Sequence, residues 1–228
     1  MVSLTKLMLL EWRKLNRVMV ISEIIIYIVI LMLLPTFFIK VVLPEMGQSY
    51  AAAMELNGFI QMGFILMGGS LINHVFIEEY KNKTMALAFS YPISRKKLFS
   101  AKVLFIASFV FGLTLCSFIL SGVATYTINQ FFPMIDGTLT SLDIITYLAT
   151  SAARSVAITL MSFAPLLLFG IWKRAVVPLI ICSIFSMQLP NFAQFVGIEP
   201  DLVVIVFAVM GAISIWLSIQ LSEQLGET

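Results

Sequence analysis

Apolar residues dominate this chain in runs near 20 long, and charge is confined mostly to the gaps between them. The runs fall at residues 18–42, 57–77, 103–128, 144–171, 175–196 and 202–221. A helix rises 1.5 Å per residue, so about 20 residues cross a hydrocarbon core of about 30 Å. The runs do not alternate polar and apolar at period two, which argues against a β-barrel. The pattern predicts an all-α polytopic membrane protein with six transmembrane helices. Residues 1–228 read as a single membrane domain, with no room for a soluble domain of any size.

Composition agrees with the pattern. Sixty per cent of residues are hydrophobic, 11% are charged and the mean hydropathy is +1.02, whereas a soluble domain carries about 25% charge. Lysine and arginine set the expected orientation. With the N-terminus inside, cytoplasmic segments hold Lys6, Arg13, Lys14, Arg17, Lys81, Lys83, Arg95, Lys96, Lys97, Lys102, Lys173 and Arg174, 12 of the 14 basic residues. The outer segments hold Lys40 against Glu45, Glu55, Asp136, Asp143, Glu199 and Asp201. By the positive-inside rule both termini are cytoplasmic. The basic lead before residue 18 is long, so the first run reads as a retained span and not a cleaved signal. Cys116 and Cys182 both lie inside spans, which provides neither a disulfide framework nor zinc spacing.

Four stretches depart from a minimal six-helix bundle. In the lead (residues 1–17), apolar positions 4, 7, 8, 12 and 15 share one helical face, with Lys6, Arg13 and Lys14 toward the other. This predicts an amphipathic helix lying in the inner interface; a simple positive anchor for topology fits equally. The loop at 78–101 is much the longest cytoplasmic loop. It opens Glu78-Glu79-Tyr80-Lys81-Asn82-Lys83-Thr84, continues as a short helical run at 85–89, and is stopped by Tyr91-Pro92. Ser94 then caps a helix whose first turn holds Arg95, Lys96 and Lys97. Three cations there oppose the helix dipole, so lipid headgroups or a protein partner must account for them. The fifth span is predicted to break at Leu189-Pro190-Asn191, with a short outer segment at 192–198. Finally, Glu23 and Arg154 are ionisable groups within spans, at depths two long side chains can bridge. They form either a buried ion pair that fixes packing or part of a polar route.

Several chemistries are missing. There is no Gly-x-x-x-x-Gly-Lys-Ser/Thr run for nucleotide hydrolysis, and no Gly-x-Ser-x-Gly or Ser/His/Asp set. His74 is the only histidine, too thin a basis for a metal site. Catalytic and metal-binding residues are therefore not expected, and nothing points to nucleic acid. Glycines 58, 63, 68 and 69 would allow close helix approach, for instance at a subunit interface. No internal repeat supports an inverted-repeat transporter.

Glu79, Thr84, Leu87, the run Pro92-Ile93-Ser94-Arg95 and Lys102, placed directly after a second span, resemble the type-2 ATP-binding-cassette (ABC) permeases. The plan is similar over nearly the whole chain, and the small size resembles the permeases of bacterial bacitracin, lantibiotic and cytolytic-peptide exporters. Lys83-Thr84 departs from the usual Gly-Thr. The resemblance implies a coupling helix that docks a separate ABC ATPase through Glu78, Glu79, Tyr80, Lys81, Asn82, Lys83 and Thr84, supported by Pro92, Ser94 and Arg95. It implies ATP and Mg on that ATPase and no cofactor in this chain. A second permease subunit, identical or not, would complete the pathway in a bacterial cell membrane. The expected cargo is a hydrophobic or amphipathic compound such as a peptide or antibiotic. The alternative is a non-transporting immunity or sensor subunit whose inner loop binds another partner.

Overall fold

A computed structural model describes residues 3–15, 17–47, 49–82 and 94–222. Among these residues there is no strand, and six helices are long and apolar enough to cross a membrane. The elements are α1 (Leu4–Lys14), α2 (Arg17–Phe37), α3 (Tyr50–Gln61), α4 (Phe64–Ile72), α5 (Glu78–Lys81), α6 (Arg95–Phe131), α7 (Ser141–Ser162), α8 (Val176–Phe195) and α9 (Pro200–Leu221). Three π-helical turns continue them, at Phe38–Val42, Asn73–Ile77 and Leu166–Trp172. The second span, Tyr50–Lys81, has 72% of its apolar window buried against 22–39% for the others. That burial explains why it can carry Asn57, Gln61 and four glycines.

The chain forms two compact units. One comprises Met1–Arg17, Phe64–Val110 and Ala157–Thr228; the other comprises Val18–Gly63 and Phe111–Val156. In the first, Phe76, Phe99, Ile106, Phe163, Leu166 and Leu179 form the core. Met8, Trp12 and Leu15 pack against it, so the amphipathic face read from the sequence is the face that docks. Small residues allow backbones to approach closely where lipid supplies no hydrophobic driving force. Gly68 lies against Ser162, Gly69 against Ser183, and a methyl on Gly211 would run into the carbonyl of Leu160. The close approaches at 68 and 69 are thus made within one chain. In the second unit Ile39, Ala53, Leu56 and Ile135 form a smaller core.

The helix break falls elsewhere than predicted. α8 runs unbroken through Pro190 to Phe195, and the chain turns at Gly197 with φ +76°. No separate segment exists at 192–198. Pro190 removes one backbone donor, but inside hydrocarbon every further lost bond also goes unanswered by water, so the helix continues. A proline interrupts the fourth span instead. Phe163, Ala164 and Leu166 make three-residue bonds around Pro165, and the chain resumes as the π-helix. The freed Leu167 amide donates to Ser214 Oγ on α9 at 3.0 Å. A neighbouring hydroxyl makes the break tolerable.

Candidate functional site

Four charged side chains form a closed ring in the first unit. Glu11 Oε1 lies 3.0 Å from Lys14 Nζ, and Lys14 Nζ lies 3.0 Å from Glu79 Oε1. Glu79 Oε2 lies 2.8 Å from Lys102 Nζ, which closes on Glu11 Oε2 at 2.9 Å. Each carboxylate gives one oxygen to each lysine, so charge alternates round the ring. Lys102 is fully buried, and its ammonium also donates to the Val75 carbonyl at 3.1 Å and sits 5.8 Å from the Phe76 ring centre. Glu11 is 4% exposed and Glu79 12%. Burying such groups is tolerable only with partners on every side. Burial works against the Lys14 ammonium, but Glu11 and Glu79 outweigh it and hold its pKa above the ordinary lysine value.

Local structure brings these residues together. Glu11 belongs to the buried face of α1. The π turn at Asn73–Ile77 inserts an extra residue into the second span, rotating the residues beyond it by about 100° relative to a plain helix. Lys102 stands on the buried stripe of α6 with Leu98, Phe99, Val103 and Ile106. The ring therefore ties the N-terminal helix, the end of the second span and the start of the third.

The turn at Lys173–Arg174 joins the same end of this unit. Arg174 has φ +49°, a left-handed conformation uncommon for a residue other than glycine. Its guanidinium stacks 4.1 Å from the Tyr80 ring centre. Glu78 is paired with His74 at 2.8 Å and accepts from Asn73 at 3.2 Å. Among the described residues of the predicted coupling segment, Lys81 and Asn82 are the exposed ones. Lys83, Thr84 and Pro92 lie outside the described residues, as does the run at 85–89. α6 starts at Arg95, directly after Ser94, whose carbonyl accepts from Leu98 N at 3.1 Å.

The intramembrane candidates lie in the second unit. Arg154 on α7 fills the space left by the missing side chain of Gly58. Its Nη1 donates to the Glu55 carbonyl at 3.4 Å, and its guanidinium lies 5.7 Å from the Phe59 ring centre. Glu23 is half-buried on α2, one turn before Tyr27. The second span starts at Tyr50, seven residues earlier than predicted, so Glu55 is a helix residue with an exposed side chain instead of part of a loop.

Comparison with known proteins gives this geometry a family. The family model described as ABC-2 family transporter protein matches residues 7–189. The chain belongs to the ABC-2 transporter family. It is 33% identical over 147 residues to "Uncharacterized protein YcbO" of Bacillus subtilis (strain 168), a match covering 63% of this chain and 64% of that protein. No solved structure matches. Its six long apolar helices and its ABC-2 family make the chain a multi-pass membrane protein. Sequence reasoning on this ABC-2 chain singled out Glu79 and Lys102 in the loop pattern, but neither their pairing nor the part of Glu11. The signal was present: Glu11 falls at the 4, 7, 8, 11, 12, 15 spacing of the apolar face, and Lys102 at the matching spacing on α6. Two opposite charges on two apolar stripes mark buried partners. Asn57, Gln61, Ser121 and Tyr147 were also missed, because single neutral polar residues in long apolar runs carry no sequence pattern.

Proposed function

We propose that this chain is the membrane-spanning permease subunit of an ATP-driven exporter, paired with a second permease and driven by a separate ATPase. The observation that supports it best is the charge ring. A partner pressing on the loop between α5 and α6 would load Glu79 at one end and Lys102 near the other. The ring passes that load to α1 through Glu11 and Lys14, and the Arg174–Tyr80 stack passes it to the turn between the fourth and fifth spans. A loop that only capped two helices would need no such linkage. The face carrying the ring is read as cytoplasmic from its excess of lysine and arginine. ATP and Mg would belong to the ATPase, and the apolar helix surfaces suit a hydrophobic or amphipathic cargo such as a peptide or antibiotic. Glu23 and Arg154, ionisable groups within spans, would line its route, since charge there favours a wet or protein-covered surface over lipid.

The test is recovery of an ATPase. Full-length chain purified from its native membrane in mild detergent should retain a nucleotide-hydrolysing subunit. Lys81→Glu should lower that recovery several-fold without changing the thermal stability of the permease. An ATPase absent from the preparation, or recovery indifferent to Lys81→Glu and Asn82→Asp, overturns the reading in favour of an immunity or sensor subunit.

A further inference from the structure

The second unit contains a cavity of about 430 Å³ enclosed by α3, α6, α7 and the connection between α6 and α7. That volume is within the range of small-ligand sites. It runs from Tyr50 to Asn57, seven residues or about 10 Å of helix, against about 15 Å for one leaflet of hydrocarbon. Its deep end is closed by a hydrogen-bonded node. Asn57 Nδ2 donates to the Tyr147 hydroxyl at 2.7 Å, which donates to the Phe118 carbonyl at 2.6 Å. Asn57 Oδ1 accepts from Ser121 at 3.0 Å and from Gln61 at 3.2 Å. At the other end the Tyr50 hydroxyl accepts from Asn129 at 3.2 Å.

These polar groups spend their bonds on one another, and a buried water needs two to four polar partners. None of the described residues lining the cavity is charged, so it has no charge with which to read an ionic headgroup. Its rim is open and apolar: Ile119, Val123, Ile144 and Leu148 are 44–56% exposed, on two helices long and apolar enough to cross a membrane. Gly122 keeps the wall thin, since a methyl there would sit 2.8 Å from the Tyr147 ring.

We infer that this cavity binds one hydrocarbon chain of a membrane lipid, entering sideways between α6 and α7. The site selects a chain and not a headgroup, and it lies within a single subunit. It goes beyond the export reading and does not depend on it.

Photolabelling tests it. The full chain is reconstituted in phosphatidylcholine vesicles containing a phospholipid with a diazirine in its acyl chain, and adducts are mapped by mass spectrometry. Ala53 and Ile135 are each only 6% exposed, so a lipid chain labels them only from within the cavity. Both should be labelled, equally with phosphatidylcholine and phosphatidylglycerol headgroups. Ala53→Trp, which fills the cavity, and Ile119→Trp, which plugs its rim, should cut that labelling on the order of tenfold, while labelling of exposed Ile205 on α9 stays constant. Gly112→Leu adds bulk to α6 where a side chain meets open space, and should leave the labelling unchanged. If Ala53→Trp fails to fold, the exposed rim variant carries the test alone. Absence of adducts at Ala53 and Ile135, labelling indifferent to Ile119→Trp, dependence on headgroup charge, or labelling only by a free diazirine-bearing alkyl amphipath and not by the phospholipid would each overturn the inference.

Discussion

The charge ring of the first unit and the amide node of the second both serve backbone that has left regular helix geometry. Lys102 donates to the Val75 carbonyl inside a π turn. Gln61 donates at 3.4 Å to the Leu31 carbonyl, the acceptor left without its usual donor by Pro35 four residues on. The chemistry differs. The ring uses full charges on α1, α5 and the start of α6, whereas the node uses the neutral side chains of Asn57, Gln61, Ser121 and Tyr147 on α3, α6 and α7. Neutral amides can be half-satisfied at modest loss, but a buried charge cannot. Pairing of the fully buried Lys102 is therefore a condition of the ring's existence, while the node can lose a member and survive.

The sharpest way to break that contrast is at Lys102. Lys102→Met leaves Glu11 and Glu79 facing each other with only half-exposed Lys14 between them, and removing one partner of a buried pair costs about 3–5 kcal/mol. Thermal unfolding in detergent should show a larger loss than any other single substitution in the ring or the node, and recovered protein should fall. Adding Glu11→Gln and Glu79→Gln to Lys102→Met should restore most of it, because no uncompensated charge then remains. A triple variant no better than Lys102→Met alone would show that packing, not charge closure, holds this site.

The node should give less. Asn57→Leu removes the acceptor of Ser121 and Gln61 and the donor to Tyr147. Unsatisfied buried polar groups cost about 1–3 kcal/mol each in soluble proteins, but interhelical bonds in membranes average about 0.6 kcal/mol. A loss of about 1–2 kcal/mol is expected in the same unfolding assay, and one as large as that of Lys102→Met would erase the distinction between the two sites.

Much of the fold was legible because hydrocarbon imposes a length rule: six runs became six spans, and positions 7, 8, 12 and 15 did form the docking face of α1. What failed was the reading of proline. Pro190 and Pro165 look alike in sequence, yet only the second interrupts its span, where Ser214 of a distant helix answers the freed amide. That partner is chosen by tertiary packing and leaves no local trace. The ring was half legible. Glu79 and Lys102 were visible through the loop pattern, but their pairing depends on a π turn that shifts helical phase and that simple 3.6-residue periodicity does not report.

Within the ring, Lys14 should matter least and in a pH-dependent way. Its side chain is 47% exposed, so solvent screening limits Lys14→Gln to a loss of about 1 kcal/mol or less near neutrality. Its pKa is raised above 10.5 in the folded chain. A raised lysine stabilises the fold fully below the unfolded value and loses that contribution as pH climbs through the folded one. The stability gap between the parent chain and Lys14→Gln should hold constant up to about pH 10 and close above it. A gap that instead opens at alkaline pH would mean that Lys14 is not charged against Glu11 and Glu79.

Tyr27 supplies the smallest and cleanest comparison. Met62 and Gly63 leave the regular bond pattern after α3, closing on Phe59 and Ile60 at 3.2 and 3.1 Å. The Gly63 carbonyl takes the Tyr27 hydroxyl at 2.9 Å. Tyr27→Phe keeps the ring and deletes only that donor, so the expected loss is about 0.6 kcal/mol, with about 1.7 as the ceiling seen for such bonds in membranes. Amide exchange should rise locally at 62–66, and global unfolding should barely move. If Tyr27→Phe instead matched Asn57→Leu, the irregular turn at Met62 and Gly63 would depend on a single hydroxyl. The node would then be a consequence of that turn and not its support.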